Sequence, residues 1–315
     1  MAYRIKADEG VRHALRRLAR AQFEHALSAL TGERQSRSAR VHELRKSIKR
    51  VRALIAVVRP AVGASAARVD REARKIAKTV AVLRDGDVSL TTLDGLLPAL
   101  GAARAGIPLR RARGRLAARL RDAGGAFEDA RRIKRLTARL RRARQRTAQL
   151  IPASKARAAL REGLFAGYRR ARRAQKRAYV KNTARAFHRW RQSVKVHRYQ
   201  MQLIEELWPG EATAHVESLE RLGELLGAEH DLTVLEEAIA ADGCCPPDDE
   251  GCARLFALIN ERRLALRAEA RPLGDRLFAE RPRAFRGRLR DELRAPRCAP
   301  AVSRSDERAG AGNAR

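Results

Sequence analysis

Two twelve-residue segments carry histidine, arginine and lysine at one spacing. Val41-His42-Glu43-Leu44-Arg45-Lys46-Ser47-Ile48-Lys49-Arg50-Val51-Arg52 aligns without a gap on Phe187-His188-Arg189-Trp190-Arg191-Gln192-Ser193-Val194-Lys195-Val196-His197-Arg198, 146 positions later. His42, Arg45, Lys49 and Arg52 thereby recur as His188, Arg191, Lys195 and Arg198. At about 100° per residue the four fall within an arc of roughly 80°, a stripe about 15 Å long on one helix face. A stripe of cations is suited to holding anionic oxygens, and the planar Arg fork matches phosphate. A histidine among them serves as a further hydrogen-bond donor, more strongly when protonated. No Ser/His/Asp or Cys/His constellation can be assigned, so no catalytic role is expected for either histidine.

The helices that present these stripes must bury their other face. Leu44, Ile48, Val51, Leu54, Ile55 and Val58 fall opposite the first stripe, and Trp190, Val194, Met201 and Ile204 opposite the second. A solvated helix face demands only polarity, whereas here one order of side chains is kept in both copies. The offset of 146 also places Arg84-Asp85-Gly86-Asp87-Val88 on His230-Asp231-Leu232-Thr233-Val234. Two separate motifs in one register point to a duplicated unit and a two-lobed helical fold. Asp85, Asp87 and Asp231 are read as supporting residues that orient Arg or Lys through charge-assisted hydrogen bonds, or as local caps and salt-bridge partners.

Composition agrees with an anionic partner. The 315 residues hold 69 Lys+Arg against 36 Asp+Glu, a net charge of +33 that exceeds what solubility asks, and 59 of the cations are Arg. The 13 aromatic residues are too few to form stacking platforms for bases, which favours a phosphate chain without bases. No run of apolar residues reaches the roughly 20 of a membrane span. Residues 1–10 carry Lys6, Asp8 and Glu9 and no apolar core of a signal peptide, from which a cytoplasmic location is expected.

Helical patterns run over 8–30, 40–59, 64–100 with an interruption at Gly86, and 109–150 with a break near Gly124-Gly125; a second series covers 154–178, 183–207, 212–241 and 250–280. The division expected is a first helical repeat over 1–150, a second over 151–294, and a disordered tail over 295–315. Cys244, Cys245 and Cys252 read as free thiols in a loop, since no partner stands at metal-ligand spacing. A cationic run, Tyr168-Arg169-Arg170-Ala171-Arg172-Arg173, precedes the second stripe. Another, from Arg131 to Arg146, reads as a peripheral electrostatic contributor.

A His-x-x-Arg-x-x-x-Lys-x-x-Arg helix in each half, Arg-Asp-x-Asp-Val after the first, and Leu-Gly-x-x-x-Asp-Leu-x-Val-Leu after the second together resemble the CHAD family, the conserved histidine α-helical domain. Tyr3-Arg4-Ile5 and Tyr168-Arg169-Arg170-x-Arg172 extend the resemblance over about residues 1–293. It implies an all-α, internally duplicated fold of two four-helix bundles with pseudo-twofold symmetry and a central basic cavity or pore. It also implies binding of inorganic polyphosphate and association with polyphosphate granules. The ligands carried over are His42, Arg45, Lys49, Arg52, His188, Arg191, Lys195 and Arg198, with Arg169, Arg170 and Arg172 behind them. Departures are Gly86 at an apolar position, His230 in place of an Asn, and Val196-His197. His197 falls on the apolar face and is expected to be buried and neutral.

The sequence therefore reads as a non-enzymatic polyphosphate binder with no cofactor and no metal. A general DNA- or RNA-binding protein is the alternative, since the same stripes attract nucleic-acid phosphates in a salt-sensitive way. A metal-dependent phosphohydrolase, suggested by His230-Asp231, lacks a companion ligand set.

Overall fold

The computed structural model describes residues 2–32, 35–100, 107–152, 154–243, 245, 246 and 248–294; these form eleven helices and no strand. In chain order they are α1 (Val11–Thr31), α2 (Arg37–Val62), α3 (Ala64–Thr79), α4 (Ala81–Leu100), α5 (Ile107–Glu128), α6 (Ala130–Leu150), α7 (Ala156–Lys181), α8 (Ala184–Gln202), α9 (Glu211–Asp242), α10 (Glu250–Leu277) and α11 (Pro282–Glu292). Side-chain caps set several starts: Ser36 accepts from the Ala39 amide, Thr183 from Ala186, and Asp249 from Cys252. Two residues separate α7 from α8, and Asn182 turns the chain there in the left-handed region, φ 44°. The two helices consequently run back along each other. The tail expected beyond 294 lies outside the described residues.

Two helix breaks fall elsewhere than the glycines suggested. The chain leaves the helix at Val80, not at Gly86, and Arg132 Nη2 donates to the Thr79 carbonyl freed by the break, 2.8 Å. Gly86 sits inside α4, where an added Cβ would lie 3.2 Å from Leu120 Cδ1, so this glycine lets α5 approach. The second break is at Asp129, which caps α6 by accepting from the Arg132 amide at 2.7 Å, and α5 continues through Gly124 and Gly125. In both places a capping partner distant from the glycine decides. The cysteine expectation is corrected as well. Cys245 and Cys252 form a disulfide, because the α10 N-cap brings the two Cα atoms to 5.6 Å, within bridging range. Cys244 and Cys298 lie outside the described residues.

α2 buries Leu44, Ile48, Val51, Leu54, Ile55 and Val58, and α8 buries Trp190, Val194 and Met201, with Ile204 buried just past its end, as the periodicity assigned. One core runs from Tyr3 to Leu293 through both halves. A second joins Leu93, Leu96, Leu109 and Leu116 of α4 and α5 to Leu232, Leu235, Leu255 and Ile259 of α9 and α10. Packing thus crosses the boundary at residue 150. The N-terminal segment is tied in by the Ile5 amide, which donates to Leu203 O at 2.9 Å, and by the Tyr3 hydroxyl, which donates to Arg50 O at 2.8 Å.

Two details hold the helices that carry the stripes. Gly163 of α7 lies against the α2 backbone, and a Cβ there would fall inside van der Waals contact of Val57 O. Arg267 of α10 is buried and donates through Nε and Nη2 to Glu229 of α9, 2.9 and 2.6 Å, and through Nη1 to Asn182 Oδ1, 3.0 Å. It also lies over the Phe187 ring at 4.2 Å. This ion pair clamps α9 beside α8, one residue before His230.

Gly163→Ala is expected to destabilise by roughly 1–3 kcal/mol by forcing α2 and α7 apart. Gly95→Ala, on the exposed face of α4 with open space around it, is expected to stabilise by about 0.5–1 kcal/mol. Urea unfolding of both variants checks this, and equal midpoints would refute the close approach. Arg267→Ala is expected to cost about 3–5 kcal/mol by leaving Glu229 buried and unpaired, with much of the loss recovered in Arg267→Met/Glu229→Leu.

Candidate functional site

α2 and α8 pack against each other, with α4 beside α2 and α9 beside α8. Their cationic faces converge at this junction. Lys49 is in electrostatic reach of Arg45, Arg191, Arg84 and Arg198, and Lys195 of Arg191, Lys49, Asp231 and Arg198. All four of Arg45, Lys49, Arg191 and Lys195 are partly buried. Among the described residues none of the four makes a hydrogen bond or an ion pair, and the buried Nε of Arg191 has no acceptor. Burial, with Arg191 and Lys49 adding repulsion, pushes the Lys195 ammonium down to about 7. Burial, with Arg45 and Arg191, pushes Lys49 down to about 8. Arg45 and Arg191 are likewise lowered by burial, against the pull of Asp85 and Asp231 respectively.

The fourth residue of each stripe has a partner. Arg52 Nε donates to Asp70 Oδ1 at 2.7 Å, a carboxylate shared with Arg74, and Arg198 pairs with Glu220. The central four are therefore distinguished from the outer two by their lack of a neutralising carboxylate. Asp85 and Asp231 attract the cluster without hydrogen-bonding to it, which corrects the expectation that they orient its side chains directly. Partial desolvation raises the Asp85 pKa, with Arg45 opposing and Asp231 adding to the rise. Asp87 accepts from the Ser38 hydroxyl at 3.1 Å, one turn before His42 on α2.

The histidines differ from one another. His42 is exposed, and desolvation lowers its pKa, with Arg84, Lys46 and Lys49 contributing against the pull of Glu43. His188 has both ring nitrogens engaged: Gln192 Nε2 donates to Nε2 at 2.6 Å, which places the proton on Nδ1, 3.1 Å from His230 Nδ1. Burial and the Arg191 charge depress His188, and the same causes push His230 down to about 3. Both are neutral near pH 7. His188 thus braces α8 against α9 where the sequence suggested a phosphate donor. His197 is fully buried as expected, its Nε2 3.2 Å from His215 Nε2 and its ring among Tyr168, Phe278 and Phe285.

Arg169 and Arg170 stand outside the central four and line a groove with Arg189 and Gln192 of α8, and Arg172 is engaged elsewhere. Arg172 Nε donates to Phe278 O at 2.8 Å, Arg170 neighbours Arg59, Asp70 and Arg74, and Arg169 lies over the Phe165 ring at 5.5 Å. The run on α6 is presented on its exposed face. Arg84 joins the cluster although the spacing argument passed over it; its place at the head of the Arg-Asp-x-Asp motif, opposite His230 in the repeat, was the available signal.

No helix among the described residues is long and apolar enough to cross a membrane. No curated protein matches the chain. The crystal structure of the CHAD domain from the plant Ricinus communis covers 94% of this chain and 95% of its own, with a TM-score of 0.57 and 20% sequence identity. The family model described as CHAD domain matches residues 11–240. At that identity the structural likeness speaks for the fold alone, and it is the family match over most of its length that makes this chain a member of the CHAD family.

Proposed function

We propose that this protein is a non-enzymatic scaffold that binds inorganic polyphosphate where α2 meets α8, in the cytoplasm and on polyphosphate granules. The carrying observation is that Arg45, Lys49, Arg191 and Lys195 are held together, partly buried, with no carboxylate at ion-pair distance. Such a cluster repels itself, and a multivalent anion relieves the repulsion. Membership of the CHAD family, which is associated with polyphosphate, supports the same ligand. The finer architecture proposed with it is a duplicated unit whose copies meet at a pseudo-twofold axis beside a basic cavity. In its support, residues related by the 146 offset lie within electrostatic reach of one another: Arg45 of Arg191, Lys49 of Lys195, and Asp85 of Asp231. Self-matched neighbours are what a twofold axis produces.

Each charge-assisted contact contributes roughly 1.5–3 kcal/mol, so Lys49→Gln/Lys195→Gln is expected to weaken polyphosphate binding by about 100-fold or more. The same variant is expected to melt higher than the parent when empty, because it removes repelling charges. Binding is compared with duplex DNA at about 0.15 and 0.5 M salt. Parallel loss of both polymers with salt, and a variant that binds like the parent, would move the nucleic-acid reading ahead.

The lysines also set a pH dependence. In the empty protein Lys195 titrates near 7 and Lys49 near 8, and a bound polyanion raises both. Binding is therefore expected to take up about half a proton near pH 7, rising to nearly two by about pH 9, and to weaken as pH rises. Calorimetry in buffers of different ionisation enthalpy reads the uptake; heats independent of buffer would contradict the buried lysines as ligands.

A further inference from the structure

A groove of about 990 Å³ runs between α7 and α8 on the side away from α9. Arg173, Lys176, Arg177 and Lys181 line it from α7, and Arg185 and Arg189 from α8. All six are exposed and none makes an ion pair or hydrogen bond among the described residues. No carboxylate lines the groove, and no Asp or Glu occurs in the chain from Gly163 to Gln202. Some arginines elsewhere on this surface are paired, Arg20 with Glu24, Arg113 with Asp94, Arg286 with Glu162 and Arg288 with Glu280, while Arg135, Arg141 and Arg142 on the exposed face of α6 are, like the groove cations, without an ion pair among the described residues. The groove keeps a single sign of charge along about 18 Å, the thirteen residues of α7 from Arg169 to Lys181.

The groove joins the central cluster around one helix. With His188 at 0°, Lys195 and Arg191 lie near 340° and 300°, Gln192 near 40°, Arg185 near 60° and Arg189 near 100°, so groove and stripe are adjoining arcs of α8. Gln192 lies on the seam, lining the groove while its amide donates to His188. The other half offers no equivalent. Under the 146 offset Arg189 becomes Glu43, Arg185 becomes Ala39, and Gln192 becomes Lys46, which pairs with Glu43 at 3.4 Å.

We propose that the α7–α8 groove is a second anion-binding site, a track over which a linear polyphosphate too long for the central cluster continues, on this half of the molecule alone. The proposal rests on the reading of the central cluster as a polyphosphate site. The two sites differ physically. The groove cations are solvated, so their attraction is screened over about 8 Å at physiological salt, whereas the half-buried cluster is screened much less. Long chains should therefore gain from the groove most at low salt, and short oligomers that fill the cluster should not gain at all.

The test compares tripolyphosphate, long-chain polyphosphate and duplex DNA on the full chain at about 0.1 M salt. The proteins are the parent, Arg173→Gln/Arg177→Gln/Arg189→Gln, and Lys49→Gln/Lys195→Gln. The groove variant is expected to bind long chains about tenfold or more weakly and tripolyphosphate within about twofold of the parent. The cluster variant is expected to lose both. A groove variant that keeps long-chain affinity while the cluster variant loses it overturns the track and leaves the central site standing. A parent that binds neither phosphate polymer overturns both. A groove variant that loses DNA alone makes the groove a nucleic-acid surface and overturns the track. A readout independent of variants is acetylation of Lys176 and Lys181 in the parent: long-chain polyphosphate should protect them and tripolyphosphate should not, and equal labelling with both refutes the track.

Discussion

Lys49 and Lys195 would move apart if nothing opposed them. Four cations share this junction, and with their solvation partly lost each acts on the others through a dielectric lower than that of water. What opposes the repulsion lies on the reverse of the same helices. Leu44, Ile48, Val51, Leu54, Ile55 and Val58 of α2 and Phe187, Trp190 and Val194 of α8 are nearly fully buried, each contributing roughly 1.5–3 kcal/mol. The site is thus made by the core: apolar faces fix the helices, and the helices bring like charges together. Gly163 serves that end by letting α7 close on α2. Arg267 and Glu229 do so by locking α9 beside α8.

The packing also ties residues before and after position 150 together. One hydrophobic core extends through both halves, and the second is built from α4 and α5 of one half with α9 and α10 of the other. A junction that brings Arg45 within electrostatic reach of Arg191 needs α2 and α8 packed together. The exchange of elements across the 150 boundary keeps them there. The carboxylates follow the same logic. Asp70 and Glu220 neutralise the outer arginines, which limits the total repulsion, while the central four have no such partner among the described residues.

The helical fold and the composition of each stripe were legible in the residues because periodicity is local. His42, Arg45 and Lys49 lie on one face whatever the rest of the chain does, and the apolar positions opposite them are buried as the 3.6-residue repeat requires. What was not legible depends on contacts distant in sequence. His188 looks like His42 in the repeat, yet a ring 42 residues away and Gln192 occupy both its nitrogens. Arg52 looks like Arg45 until Asp70 on the next helix claims it. Arg172 spends its guanidinium on Phe278 O, 106 residues on. The helix ends went astray for a related reason: Gly86 and Gly124 permit close packing, and the breaks fall where Thr79 and the α6 amides find partners. The Cys245–Cys252 bond likewise depends on a cap at Asp249 that spacing alone does not reveal.

Net charge explains little of the proposed selectivity. The chain carries an excess of 33 positive charges, but most of the cations are exposed, and beyond about 8 Å their attraction is screened for any polyanion alike. The distinguishing charges are the few whose solvation is already lost. For these the desolvation cost is met by folding, so a phosphate reaching Lys49 and Lys195 recovers their protonation as well as their pairing. A duplex presents phosphates on the outside of a wide helix, and bringing two of them between α2 and α8 would require deforming it. A thin chain in which every unit is charged reaches the half-buried cations without that deformation. On this reading, polyphosphate is discriminated by the depth of four side chains, and the surface charge serves to gather the polymer before they engage it.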